Sequence, residues 1–300
     1  MPVSVPGPVL VPVSVAAGQE TAGSAGLDPS VRHAVRHHQP AVVLFDLDDT
    51  LFAHRGAVAA GILLHLDRVG GAFATGDRVA ATGLWDALEE EHYHSYLAGS
   101  LDFAGQRRAR AQDFAASFDI MLTDAEADTW FDEYFESYRA SWRLHDDALP
   151  CLDALAQLLP EVRFGLITNG DPVFQGEKIR RVGLTDRFEH VVTSGALGFA
   201  KPDPRIFEHA CAVFGVPVSE AVYVGDRLRT DAVGAAAAGL TGVWLDRAGA
   251  SAAPTGSAIP SPRAATGLPP TTGADSIEAA HLGVLRIGTL ADLPFALTSQ

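Results

Sequence analysis

The chain has 300 residues, 47% of them hydrophobic, which supplies a sizeable core and allows one or two domains. A formal net charge of −15 and a pI near 5 exclude non-specific binding of a nucleic acid polymer, because no basic stripe exists to neutralise phosphates. No apolar run approaches the roughly 20 residues that span a bilayer, and the proline-broken stretch Met1 to Ala17 has no basic residue before it, unlike a secretory signal; a cytoplasmic protein without a membrane partner is expected.

Residues 1–40, rich in Pro, Val, Ser, Gly and Ala without a helical or strand period, read as a disordered, mobile arm. The run Arg32-His33-Ala34-Val35-Arg36-His37-His38 that closes it reads as solvated, with no acidic or cysteine partner beside it. Ala41-Val42-Val43-Leu44-Phe45 reads as a buried strand. The pattern then turns helical from 56 to 143, with apolar residues at spacings of three and four near 56–69, 77–97, 103–118 and 125–142. Trp85, Leu88, Phe114, Phe118, Trp130, Phe131, Tyr134 and Tyr138 are the expected inward positions of a helical bundle of its own, and Asp102 and Thr123 its expected N-caps. His92 and His94, beside Glu89-Glu90-Glu91, are expected on a solvated face.

The remainder alternates: helix 147–159, strand 162–167, helix 172–182, strand 190–193, helix 203–214, strand 221–225, helix 229–238 and strand 241–245. This alternation predicts an α/β fold, a parallel sheet with right-handed crossovers and helices on both faces. Residues 248–283, rich in Ala, Pro, Gly, Ser and Thr, read as a flexible insertion, before a last strand near Leu285-Arg286-Ile287 and a short helix over Leu290 to Leu297. The only cysteines, Cys151 and Cys211, are expected as buried free thiols.

Four short elements follow apolar runs in order: Asp46-Leu47-Asp48-Asp49-Thr50, Thr168-Asn169-Gly170, Lys201-Pro202-Asp203-Pro204, and Gly225-Asp226 with Asp231 five residues on. Each alone has a plain structural reading as a strand end, turn or helix cap. Their order sets them apart, and the first places two carboxylates at the carboxyl end of a strand, where open α/β sheets build their sites. Of the 22 basic residues only Lys178 and Lys201 are lysines, and one falls in the third element. A compact ammonium sits among carboxylates and phosphate oxygens where a forked guanidinium fits poorly.

Together these elements resemble the haloacid dehalogenase-like (HAD) hydrolase superfamily over about residues 41 to 247, and within it the phosphatases with a helical cap inserted after the first strand. The resemblance implies a Rossmann-like core formed by residues 41–54 and 145–247, a helical cap over 55–144, and a closing strand and helix over 284–300. It implies that Asp46 is a nucleophile and Asp48 the acid and base for the leaving group and water. Thr168 and Asn169 would hold a phosphoryl oxygen, and Lys201 would neutralise phosphate and Asp46. Asp46, Asp226 and the Asp48 carbonyl would bind Mg²⁺ with support from Asp231, while Asp49 contributes backbone geometry. An acid at position 48 favours phosphate ester hydrolysis over carbon–halogen or phosphonate cleavage.

The substrate expected is a small phosphorylated metabolite, a nucleotide, flavin-precursor or sugar phosphate, acted on by a monomer or homodimer. Gln175 and Lys178 fit a pattern common among capped phosphatases with such substrates. His54 and Arg55 are placed to reach substrate or to lie on the cap hinge. A phosphoglucomutase-like phosphotransfer, and a non-catalytic binding or scaffold role on the same fold, remain the alternatives.

Overall fold

The computed structural model describes residues 39–250 and 273–299. The expected arm, apart from its last two residues, and the basic histidine run lie outside the described residues, as do residues 251–272 of the expected insertion.

Six parallel strands form one sheet in the order β3-β2-β1-β4-β5-β6: β1 Val42–Phe45, β2 Arg163–Thr168, β3 His190–Thr193, β4 Ala221–Gly225, β5 Thr241–Leu245 and β6 Leu285–Ile287. The order reverses between β1 and β4, which opens a crevice at their carboxyl ends. β1 is central and buried throughout, and its period of two sorts its side chains onto opposite faces. Val43 and Phe45 join the larger apolar core, while Val42 and Leu44 join a second one with Phe207, Phe214 and Tyr223.

Helices α1 His54–Val69, α2 Arg78–Leu97, α3 Phe103–Ala116 and α4 Asp124–Ala140 lie between β1 and β2, so the helical insert stands where the apolar periodicity places it. Asp102 caps α3 by accepting from the Gly105 N–H at 2.6 Å, and Thr123 with Glu126 forms a capping box on α4. Trp85, Leu88, Phe114, Trp130, Phe131, Tyr134 and Tyr138 are buried, and Phe118 packs half-buried against them. α1 and α4 approach closely at Gly61, where a Cβ would fall 2.6 Å from the Tyr138 Cα.

Two differences mark the insert. Its apolar core is continuous with one face of the sheet, because Phe52, Trp142 and Phe174 bridge the two at ring separations of 6.0 and 5.7 Å. His92 is buried and bonds Asp113 at 2.8 Å, since its turn of α2 faces α3 and not the solvent; His94 is exposed as expected.

Past the insert come α5 Ala148–Leu158, α6 Pro172–Arg181, the short α7 Ser194–Leu197 and α8 Pro204–Phe214. The helix expected over 229–238 is broken into a π-helical turn, Leu228–Val233, followed by α9 Gly234–Ala237. Both ends of the stretch expected as an insertion are helical, α10 Arg247–Ala250 and α11 Gly273–His281, and α12 Leu293–Thr298 closes the chain. Both cysteines are buried and free. No described helix is long and apolar enough to cross a membrane.

His65 is fully buried in α1, its ring 4.3 Å from that of Trp130 at a right angle, and neither ring nitrogen has a partner among the described residues. Burial, with Arg68 adding to it, pushes its pKa down from 6.5 to about 4. The folded state therefore holds a neutral ring while the unfolded chain binds a proton below about pH 6.5. This stability is complete above that pH and declines as pH falls toward 4, by about 2 kcal/mol between pH 7 and 5. Urea unfolding at both pH values should show wild type losing that much more than His65→Leu; parallel losses would refute it.

Candidate active site

β1, β2 and β4 end side by side, and the chain leaving each of them carries one of the sequence elements. Asp46 follows β1 and is buried. Its Oδ1 receives the Lys201 ammonium at 2.6 Å, and its Oδ2 accepts from the Thr50 hydroxyl at 3.1 Å. That hydroxyl in turn accepts from the Asp226 N–H at 3.1 Å, which fixes the loop after β1 to the loop after β4. Asp49 makes the turn with φ of 62°, and its carboxylate accepts from the Arg55 N–H at 2.9 Å.

Lys201 is buried and spans three acceptors: Asp46, Asp231 at 2.7 Å and the Tyr223 hydroxyl oxygen at 2.7 Å. Burial opposes its charge, but Asp231 and Asp46 outweigh burial and raise its pKa. Asn169 sets its position, donating to the Lys201 carbonyl at 3.0 Å and accepting from the Lys201 N–H at 2.9 Å. Asp231 sits on the π-helical turn, where the Asp231 and Ala232 N–H groups both donate to the Arg227 carbonyl. The widened turn packs Asp231 directly on Gly225: a Cβ there would fall 2.5 Å from the Asp231 Cβ, so only glycine fits.

Asp48 lies on the other side of the loop. Lys178 Nζ is 2.7 Å from its Oδ1 and Gln175 Nε2 2.9 Å from its Oδ2, while the same Gln175 amide donates to the buried Thr168 hydroxyl at 2.7 Å. Burial would raise the Asp48 pKa, but Lys178, His54 and the Gln175 hydrogen bond overcome it and hold the carboxyl well below its usual range. Asp46 behaves oppositely. Burial pushes it up to about 7 against the pull of Lys201, with Asp231 adding repulsion.

A model of the haloacid dehalogenase-like hydrolases matches residues 40–239. A glyceraldehyde 3-phosphate phosphatase of Methanopyrus kandleri is 32% identical over 220 residues, 68% of this chain and 83% of that protein. The chain belongs to the haloacid dehalogenase-like hydrolases.

A second glyceraldehyde 3-phosphate phosphatase, from Pyrococcus abyssi, is 49% identical over 83 residues, so this HAD-like chain spans only 28% of itself and 35% of that relative in the match. Among solved structures, a HAD-hydrolase of Bacillus subtilis bound to magnesium superposes with a TM-score of 0.62 at 17% identity, covering 86% of this chain and 98% of that one, which supports the fold.

A divalent cation suits the donor set of this HAD-like site. Carboxylate oxygens of Asp46, Asp226 and Asp231 lie within 4.8 Å of one another. Burial together with Asp231 and Asp46 raises the Asp226 pKa well above its ordinary value against the pull of Arg227, and Arg55 lies 3.6 Å from its carboxylate. Three crowded carboxylates against one buried ammonium leave negative charge that a hard, oxygen-preferring ion would neutralise.

All seven motif residues, Asp46, Asp48, Thr168, Asn169, Lys201, Asp226 and Asp231, are thus at or beside the strand tips, and Arg55 reaches Asp49 and Asp226. His54 instead bonds the Tyr138 hydroxyl at 2.9 Å. Sequence reasoning missed Thr50, Tyr223 and Arg247. Thr50 stands in the first element, where a hydroxyl has the plain reading of a turn or cap residue. Tyr223 looked like any apolar strand residue, though a phenol next to a strand end is a polar signal. Arg247 gave no signal, yet it pairs with both Asp147 oxygens at 2.8 and 2.9 Å and donates to the Thr50 carbonyl at 2.9 Å, bracing the loop after β1.

Proposed function

We propose that the chain is a Mg²⁺-dependent phosphatase of a small organic phosphate monoester that works through an aspartyl-phosphate on Asp46, with the helical insert serving as the cap. The observation that carries this reading is the pairing of two carboxylates two residues apart with opposite environments: Asp46 against Lys201, Asp231 and Asp226, and Asp48 on the far side against Lys178 and Gln175. The phosphatase relatives support it.

Asp46 attacks phosphorus and the bond to the bridging oxygen breaks; Asp48, ionised in the resting site, takes up a proton as the anionic phosphate enters beside it and passes that proton to the departing alkoxide. Asp48, now a carboxylate, takes a proton from water as that water attacks phosphorus, and Asp46 and inorganic phosphate are released. Lys201 neutralises Asp46 and a phosphoryl oxygen, and Thr168 with the Asn169 backbone N–H donates to another. Asp46, Asp226 and the Asp48 carbonyl would hold Mg²⁺, with Asp231 orienting them. When bound, the ion supplies positive charge to the phosphoryl oxygens.

The test is inorganic phosphate release from nucleotide, flavin-precursor and sugar phosphates. EDTA should lower release by about 10²-fold or more, and excess Mg²⁺ should restore it. Release insensitive to chelation would overturn the metal assignment. Turnover that leaves all phosphate on the product would mean phosphotransfer, and no turnover at all would favour a binding role.

A further inference from the structure

Both oxygens of Asp48 are gripped, and both donors come from one face of α6. Lys178 and Gln175 sit three residues apart on that helix, the spacing at which helical side chains lie side by side. Lys178 holds Oδ1 at 2.7 Å and Gln175 holds Oδ2 at 2.9 Å, while the second Gln175 amide hydrogen goes to Thr168 at 2.7 Å. The grip is built. The Lys178 side chain is 3% exposed against 28% for Asp48, and its ammonium lies 4.9 Å from the ring centres of both Phe52 and Phe174.

Lysine usage points the same way. Twenty of the 22 basic residues are arginine, and the two lysines meet the two carboxylates of Asp46-Leu47-Asp48: Lys201 on the first and Lys178 on the second. α6 also carries the insert. Phe174 meets Phe135 and Trp142, each at 5.7 Å between ring centres, and Glu177 pairs with Arg139 at 2.9 Å.

We propose that Lys178 and Gln175 are positioning residues for Asp48, fixing its carboxyl group against the leaving-group oxygen on a helix that the insert steadies. The inference rests on the reading of Asp48 as the group that protonates that oxygen. A carboxyl that keeps 28% of its side chain exposed otherwise samples several rotamers, and a displacement of about 1 Å at a reacting group costs on the order of 10²-fold in rate. Two donors, one of them charged, select one orientation.

The effect should depend on the leaving group. p-Nitrophenolate departs without a proton, whereas an alkoxide needs one. In the full chain with Mg²⁺, Lys178→Met and Gln175→Leu should each lower kcat by about 10²-fold on the fastest alkyl phosphate of the panel. On p-nitrophenyl phosphate the loss should be at least about tenfold smaller, with KM on both esters little changed. Asp48→Asn should show the same selectivity in stronger form. Equal losses on both esters from Lys178→Met and Gln175→Leu, with Asp48→Asn still selective, would overturn the proposal alone. A rise in alkyl turnover would overturn it too, because the grip would then be holding Asp48 away from its work. An Asp48→Asn variant without selectivity would remove the acid assignment and the proposal with it. Thermal melting monitors folding, and Gln175→Leu carries the test if Lys178→Met does not fold.

Discussion

Asp46→Asn should abolish phosphate release, by about four orders of magnitude or more, the scale of loss on removing a covalent nucleophile. The substitution keeps the shape of the side chain and an acceptor for Lys201, which approaches Oδ1 at 2.6 Å. It removes the anionic oxygen that would attack phosphorus. The fold should not suffer. Asp46 is a buried carboxylate whose pKa is pushed up to about 7 by burial and by Asp231, so neutralising it relieves repulsion among Asp46, Asp226 and Asp231. The melting temperature should hold or rise. Phosphate release and thermal melting on the same samples check both halves; a variant retaining activity within about tenfold of wild type would disprove the nucleophile assignment.

The architecture was legible because the strands are short apolar runs and the helices carry their own punctuation. β1 reads as a continuous buried run, which is what a central parallel strand requires. Asp102 and Thr123 mark helix starts by their capping chemistry. The motif residues were legible as a set because each ends or follows a strand, and a parallel sheet brings the carboxyl ends of its strands to one edge.

What the sequence hid depends on contacts between distant elements. Tyr223 alternates inward with the apolar residues of β4, and its hydroxyl meets its partners only in the fold, where it accepts from Lys201 at 2.7 Å and faces the Ile167 carbonyl at 3.1 Å and Asp231 at 3.3 Å. Arg247 acts through Asp147, a hundred residues away. His92 lies in a glutamate-rich stretch, but the packing of α3 against α2 buries it on Asp113. The π-helical turn depends on close packing between Asp231 and Gly225, which local helix propensity does not register.

Lys201→Met should damage stability and activity together, and the coupling between the two is informative. The substitution keeps the length of the stem and removes the ammonium from three acceptors, Asp46 at 2.6 Å and Asp231 and Tyr223 each at 2.7 Å. Asp46, Asp231 and Asp226 are then left crowded without that buried cation. Removing one partner of a buried ion pair costs about 3–5 kcal/mol, because the remaining charge stays desolvated. In EDTA the melting temperature should fall by roughly 10 °C, and kcat with Mg²⁺ by about 10²–10³-fold, the loss expected when a charge stabilising a transferring phosphoryl group is removed. Mg²⁺ should raise the melting temperature of the variant more than that of wild type, since binding to the folded state now relieves more repulsion, yet activity should stay low. Adding Asp231→Asn to Lys201→Met should recover part of the stability, because the second change removes a carboxylate that the first left unpaired. If Lys201→Met melts within about 2 °C of wild type in EDTA, the lysine is not the charge that holds these carboxylates together.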